Sequence, residues 1–227
     1  MPLPLPNLFK SFYSMQTSTK FLIGFSGIVL ASIWFKYKLK SHKPTKQIKK
    51  SEKPLKRHIF IDIETTGLWH KTGDKIVEIA CFYFDTDGAS RIFKTYVNPD
   101  RFIPENVIKI HGINNEMVKD APKFREVGQQ LLDFIGKDDI LVGHNLRKFD
   151  IPFINSELKG ANLNPINNEL IDTLEMFREQ FPGHSAKLDN VCKMFNIDIS
   201  ERIRNGHGAL LDAQLTAACF QKMTQFS

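Results

Sequence analysis

The chain has 227 residues, enough for one well-cored domain with length to spare. Its 42% hydrophobic and 25% charged residues are ordinary for a globular protein, and three scattered cysteines (Cys81, Cys192, Cys219) exclude a disulfide framework or a cysteine zinc site and fit a reducing compartment. The formal net charge of +6 hides a split: residues 1–57 hold twelve Lys/Arg against the single acid Glu52, while the remainder carries a net charge of −5, so composition implies no basic groove across the folded part.

Residues 1–20 form an N-terminal tail. FLIGFSGIVLASIWF (21–35) runs uncharged between Lys20 and Lys36, and with Tyr37 the segment 21–37 reads as a transmembrane anchor helix. Its 17 residues fall short of the about 20 that usually span a bilayer, a gap that snorkelling lysines at each end would close. Gly24, Gly27 and Ala31 put small residues on a face suited to helix contact, and lysines from Lys36 to Lys50 favour a cytoplasmic location for the side that follows. A cleaved signal peptide and an organellar presequence are the alternatives: no A-x-A site follows the apolar run, and residues 1–51 lack acids but also lack arginine. The expected localisation is therefore membrane-anchored with the following domain in the cytoplasm, the alternatives being organellar or soluble cytoplasmic. Residues 38–56 read as a solvated basic linker and residues 57–227 as the folded domain.

From His58 onward the pattern becomes that of an α/β fold. HIFIDIETT (58–66) reads as a strand, and KIVEIACFYFD (75–85) and ASRIFKTYV (89–97) as two more, joined as a hairpin by a turn at Asp87 and Gly88. REVGQQLLDFIG (125–136) carries Val127, Leu131, Leu132 and Ile135 at helical spacing. DILVGHN (139–145) is a short strand entering a loop, FINSELKG (153–160) a helix, and ELIDTLEMF (169–177) fits either strand or helix. SAKLDNVCKMFNI (185–197) and GALLDAQLTAACFQKMTQF (208–226) are helical by period. Three consecutive strands followed by alternating strands and helices imply a mixed sheet covered by helices.

In a strand, residues i and i+2 point to the same face, about 6.6 Å apart along the chain. In FIDIETTGL (60–68), Asp62 and Glu64 therefore project together while Ile61 and Ile63 point away. Buried carboxylates need a counter-charge or a metal, and paired hard oxygen ligands suit Mg²⁺ or Mn²⁺ rather than zinc. The competing reading is an exposed strand face bearing two acids. Thr65, Thr66 and Gly67 offer a tight exit whose free backbone N–H groups can receive a nucleotide's terminal oxygens. Asp150, in GHNLRKFD, follows the loop at the end of the 139–145 strand, where parallel sheets assemble their sites. His207 and Asp212, in NGHGALLDAQ, would sit about 140° apart on a regular helix. They converge only if His207 precedes the first turn, on a mobile loop that Gly206 and Gly208 permit.

Taken in order, FIDIETTGL, GHNLRKFD and HGALLDA resemble the three motifs of the DnaQ-like (DEDDh) 3′–5′ exonucleases, the family of the epsilon proofreading subunit of bacterial DNA polymerase III. The resemblance covers roughly residues 57–225, including IHGINNEMVKDAPKF (110–124) and KLDNVCKMFNI (187–197). It implies a ribonuclease H-like mixed five-stranded sheet flanked by helices, here preceded by the N-terminal hydrophobic helix. It also implies Asp62, Glu64, Asp150 and Asp212 as ligands of two divalent ions, Mg²⁺ or Mn²⁺, with Asp62 bridging both and His207 as general base. One departure is local: His144 lies six residues before Asp150, where many members have five, the extra residue falling in Leu146-Arg147-Lys148.

The expected substrate-binding residues are Thr65, Thr66, Gly67, Leu68, His144, Asn145 and Phe149. Leu68 and Phe149 would pack against the terminal base, with core packing as the alternative for Phe149. The expected reaction releases nucleoside 5′-monophosphates from a nucleic-acid 3′ end, DNA ahead of RNA. An RNA 3′-end-processing exoribonuclease of the same superfamily and a non-catalytic nucleic-acid-binding module are the alternatives. The expected partners are nucleic-acid 3′ ends and, through residues 21–37, a membrane. The chain ends soon after the third motif, which implies no stable replicative polymerase partner.

Overall fold

The computed structural model describes residues 56–86 and 88–225. Five strands form one sheet: β1 (His58–Thr65), β2 (Ile76–Phe84), β3 (Ser90–Tyr96), β4 (Ile140–Gly143) and β5 (Glu169–Asp172). Their order is β3-β2-β1-β4-β5, with β1–β2 and β2–β3 antiparallel and β1–β4 and β4–β5 parallel. This is the mixed sheet that the residue pattern implies, with the five strands that the family resemblance implies. Eight α-helices accompany it among the described residues: α1 (Glu105–His111), α2 (Asn115–Val118), α3 (Phe124–Phe134), α4 (Asp150–Gly160), α5 (Thr173–Gln180), α6 (Leu188–Met194), α7 (Ser200–Asn205) and α8 (Ala209–Thr224).

β1 is central, so both of its faces are covered. Ile59, Ile61 and Ile63 enter the larger core with Leu131 of α3 and Phe153, Ile154 and Leu158 of α4. Each such side chain removed from water contributes roughly 1.5–3 kcal/mol. Phe60 points to the opposite face, where its ring lies 5.3 Å from Phe82 and 5.9 Å from Phe220 of α8. Strand alternation then puts Asp62 and Glu64 on that same face, under α8. A second core holds Phe177, Leu188, Val191, Leu215 and Met223, and within it the Cys192 and Cys219 thiols meet at 3.5 Å.

The segment ELIDTLEMF is both structures in turn: β5 ends at Asp172, whose carboxylate accepts the Leu174 N–H and starts α5. The short helices α1, α2 and α7 have too few turns to show an apolar period in sequence.

The N-terminal expectation requires correction. Residues 21–37, read as a transmembrane helix, lie outside the described residues, as do the tail and most of the linker. Among the described residues, no helix is long and apolar enough to cross a membrane. The longest, α8, has 16 residues, short of the about 20 a bilayer requires. Nothing among the described residues therefore supports the N-terminal hydrophobic helix or the membrane anchor.

Candidate active site

The first pair of acids is delivered by β1 and aimed by a register slip at its end. Glu64 pairs with Glu78, but Thr65 pairs with Ile76, one residue of β2 being skipped. Such an irregularity bends the strand and re-aims its side chains. The loop that follows is organised around the Asp74 carboxylate. Asp74 accepts hydrogen bonds from the Thr66 hydroxyl (3.1 Å) and the Trp69 N–H (3.0 Å), and pairs with Arg101 at 3.2 Å. Gly67 makes this possible, because a Cβ there would lie 2.4 Å from Asp74 Oδ2.

The expectation of free N–H groups at this exit does not hold at Thr66, whose N–H donates to Lys75 O at 2.8 Å. The Thr65 hydroxyl is likewise engaged, donating to Gly67 O at 2.6 Å. What the loop does present is apolar surface: Leu68 is 67% exposed and Trp69 68%.

Asp150 opens α4, and the turn ahead of it is held by Asp172. That carboxylate accepts the N–H groups of Asn145 (2.9 Å), Arg147 (3.1 Å) and Leu174 (3.1 Å). Asn145 takes the left-handed conformation (φ 65°), which accommodates the longer spacing between His144 and Asp150. His144 is tied on both ring nitrogens, to the Thr173 hydroxyl (3.0 Å) and Ala186 O (2.8 Å), so it buttresses the turn.

The third group forms as its spacing required. His207 precedes α8 and Asp212 lies in its first turn. The loop is pinned: His207 N–H donates to Ile110 O at 3.0 Å. Gly206 adopts φ +81°, and a Cβ there would lie 2.9 Å from the same carbonyl. Buried Glu78 accepts the Ala209 N–H at 2.9 Å, closing the helix N-terminus.

These elements meet in a cleft of about 580 Å³ lined by Asp62, Glu64, Asp150, His207 and Asp212. Thr65, Thr66, Gly67, Leu68, Trp69, His111, His144 and Phe149 also line it; Asn145 is not among its walls. Phe149 lines the cleft and also packs against Phe153, at 5.0 Å between ring centroids. His111 is structural, accepting the Ile113 N–H at Nδ1 (3.0 Å) and facing Thr65 O with Nε2 (3.3 Å).

Without cations, burial and mutual repulsion disfavour the charged forms of these acids. Burial, followed by the neighbouring Asp212 and Glu78, pushes Glu64 up to about 9. Burial also raises Asp150 to about 8, although the N–H groups of Asp150 and Ile63 oppose it. Asp62 is raised well above the usual carboxylate range by burial and by Asp150, Asp212 and Glu64. Asp150 Oδ1 is buried with no hydrogen-bond partner, and ligating atoms of Glu64, His207 and Asp212 lie within 4.8 Å of one another. An orphaned carboxylate oxygen among hard oxygen donors fits a divalent cation.

Sequence reasoning missed Arg202. Its side chain is 9% exposed, and its guanidinium grips Asp212 with two bonds, Nε to Oδ1 at 2.6 Å and Nη2 to Oδ2 at 2.9 Å. It also donates to Asp189 and, at 3.0 Å, to His207 Nδ1. Burial, followed by this neighbouring charge, lowers the His207 pKa, opposed by Asp212 and Asp189. Asp172, Asp74 and Trp69 were missed as well. Each is a single residue without periodic partners, so no local pattern marks it.

Comparison with known proteins identifies the family. The Exonuclease family (RNase_T) matches residues 59–220. DNA polymerase III subunit epsilon of Rickettsia felis is 41% identical over 173 residues, 74% of this chain and 74% of the relative. The Pasteurella multocida subunit is 40% identical over 177 residues, 74% and 68% of the two chains. Among solved structures, exonuclease X in complex with 5′ overhanging duplex DNA aligns with a TM-score of 0.59 at 27% identity, over 75% of this chain and 92% of that one. E. coli exonuclease I in complex with a dA16 oligonucleotide, at 18% identity, shares the fold with a TM-score of 0.64 over 76% of this chain and 41% of that one. The chain belongs to the DnaQ-like, DEDDh-type family of 3′–5′ exonucleases.

Proposed function

We propose that this exonuclease hydrolyses the terminal phosphodiester of a DNA strand, releasing nucleoside 5′-monophosphates with two divalent ions, Mg²⁺ or Mn²⁺, at its site. The observation that carries the metal requirement is the buried, unpartnered Asp150 Oδ1 within a cluster of four carboxylates. Asp62, Glu64, Asp150 and Asp212 would hold the ions. Bound there, divalent ions supply activation of the attacking water and stabilisation of the charge on the leaving 3′ oxygen.

The chain's own residues do the rest. Burial and Arg202 both lower the pKa of His207, which favours the neutral ring that a general base requires. As the water oxygen bonds to phosphorus, the bond to the 3′ oxygen breaks, and the shortened strand keeps its hydroxyl. Leu68 and Trp69 present apolar surface at the cleft mouth for the terminal bases, and Phe149 closes the wall beside Asp150. The DNA preference is supported by the DNA polymerase subunits among the relatives and by the DNA bound in the structural neighbours. Because those relatives are by name polymerase subunits, the expectation of a chain without a polymerase partner is not carried forward.

The test is degradation of matched 3′-labelled DNA and RNA strands with Mg²⁺, with Mn²⁺ and with EDTA. DNA should be shortened from its 3′ end faster than RNA, and both EDTA and Asp62→Ala should stop the reaction. Hydrolysis that persists in EDTA overturns the metal requirement, and faster loss of RNA overturns the substrate assignment.

A further inference from the structure

We propose that Arg202 is an internal cation seated on the third-motif carboxylate, which divalent ions must displace, so that this residue sets the metal affinity of the site. The inference rests on the metal-dependent reading above. A guanidinium can only donate hydrogen bonds. Arg202 therefore uses both oxygens of Asp212 as acceptors, at 2.6 and 2.9 Å. A metal ion needs at least one of those oxygens at close range, where its charge and that of the guanidinium repel one another.

The same contact withholds the base. Because Arg202 donates to His207 Nδ1 at 3.0 Å, that nitrogen holds the lone pair and Nε2 carries the proton. A neutral ring in this arrangement has no lone pair left for water. Releasing Arg202 frees one metal ligand and the base in a single motion, and brings no stranded charge. Asp189, with its carboxylate 44% exposed, already bonds Nη1 and stays available as a partner. Movement of α7 costs little packing, since none of its residues is fully buried. In the absence of metal, Arg202 is the cation that balances the Asp212 carboxylate.

The experiment uses the full-length protein without nucleic acid. Free Mn²⁺ is followed by electron paramagnetic resonance during titration of wild type, Arg202→Gln and Arg202→Lys, and each is melted with EDTA and with saturating Mn²⁺. Arg202→Gln should bind Mn²⁺ roughly tenfold more tightly, in the range typical of coupling between two sites. Arg202→Lys keeps the charge but loses the fork, so its affinity should fall between the other two. In EDTA Arg202→Gln should melt below wild type, and saturating Mn²⁺ should close most of that gap, because the ions take over the work of the guanidinium. Unchanged or weaker Mn²⁺ binding, or an equal melting deficit in both conditions, would make Arg202 a structural tie kept in the loaded enzyme and overturn the proposal. Wild type that binds no Mn²⁺ overturns the metal-dependent reading itself, and this proposal with it.

Discussion

Trp69 stands at the mouth of the cleft, 68% exposed, on a loop fixed by the bond between its N–H and Asp74. An exposed indole on a rigid loop is ready to stack on a base without an ordering cost. Trp69→Ala is expected to raise KM for a single-stranded DNA roughly 5- to 150-fold while leaving kcat nearly unchanged, the outcome for a residue that binds without touching the reacting atoms. Steady-state kinetics on an oligonucleotide checks it, and Trp69→Phe should recover most of the loss. His207 should behave oppositely. It faces Asp212 across 3.6 Å and lines the same cleft as the carboxylates. His207→Ala is expected to lower kcat by about 10²–10⁴, the usual contribution of a general base, with Mg²⁺ affinity largely intact by calorimetric titration.

At the level of elements, the site depends on how strand ends are tied to helix starts. Asp172 closes β5, caps α5 and holds the turn before Asp150, all through one buried carboxylate. Asp172→Ala leaves three N–H groups without their acceptor and should cost about 2–3 kcal/mol, read as a lower urea midpoint at unchanged m. Activity should fall with it, since the turn that aims Asp150 loses its anchor; Asp172→Asn, which keeps one acceptor, should be milder on both counts. The loop 67–74 shows the same economy. Gly67 admits the Asp74 carboxylate where any Cβ would stand 2.4 Å from it, and Asp74 in turn fixes Thr66 and Trp69.

For the whole molecule, the gathered carboxylates tie stability to pH and metal. Glu64 and Asp150 are raised to about 9 and about 8 in the folded, metal-free protein, whereas in the unfolded chain both titrate near the ordinary carboxylate values. The native state therefore holds protons that the unfolded chain has lost, and stability in EDTA should fall as pH rises through that window towards about 9. Saturating Mg²⁺ favours the ionised carboxylates, so the stabilisation it brings should grow over the same range. Melting temperatures at about pH 6 and pH 9, in EDTA and in Mg²⁺, check both signs. The sequence by itself pointed to the mixed sheet and nominated five residues that line the cleft, because alternation in FIDIETTGL and the order of three short motifs are local signals. It could also place His207 ahead of α8, since helical geometry forbids any other convergence with Asp212. The tertiary structure alone decided what holds those residues. Asp172 meets Asn145 across 27 positions and Arg202 meets Asp212 across ten, and neither residue has a neighbour in sequence that marks its role. A lone charge carries no period, so its partner is set only when the chain folds: the four acids were legible, and the guanidinium that balances one of them was not.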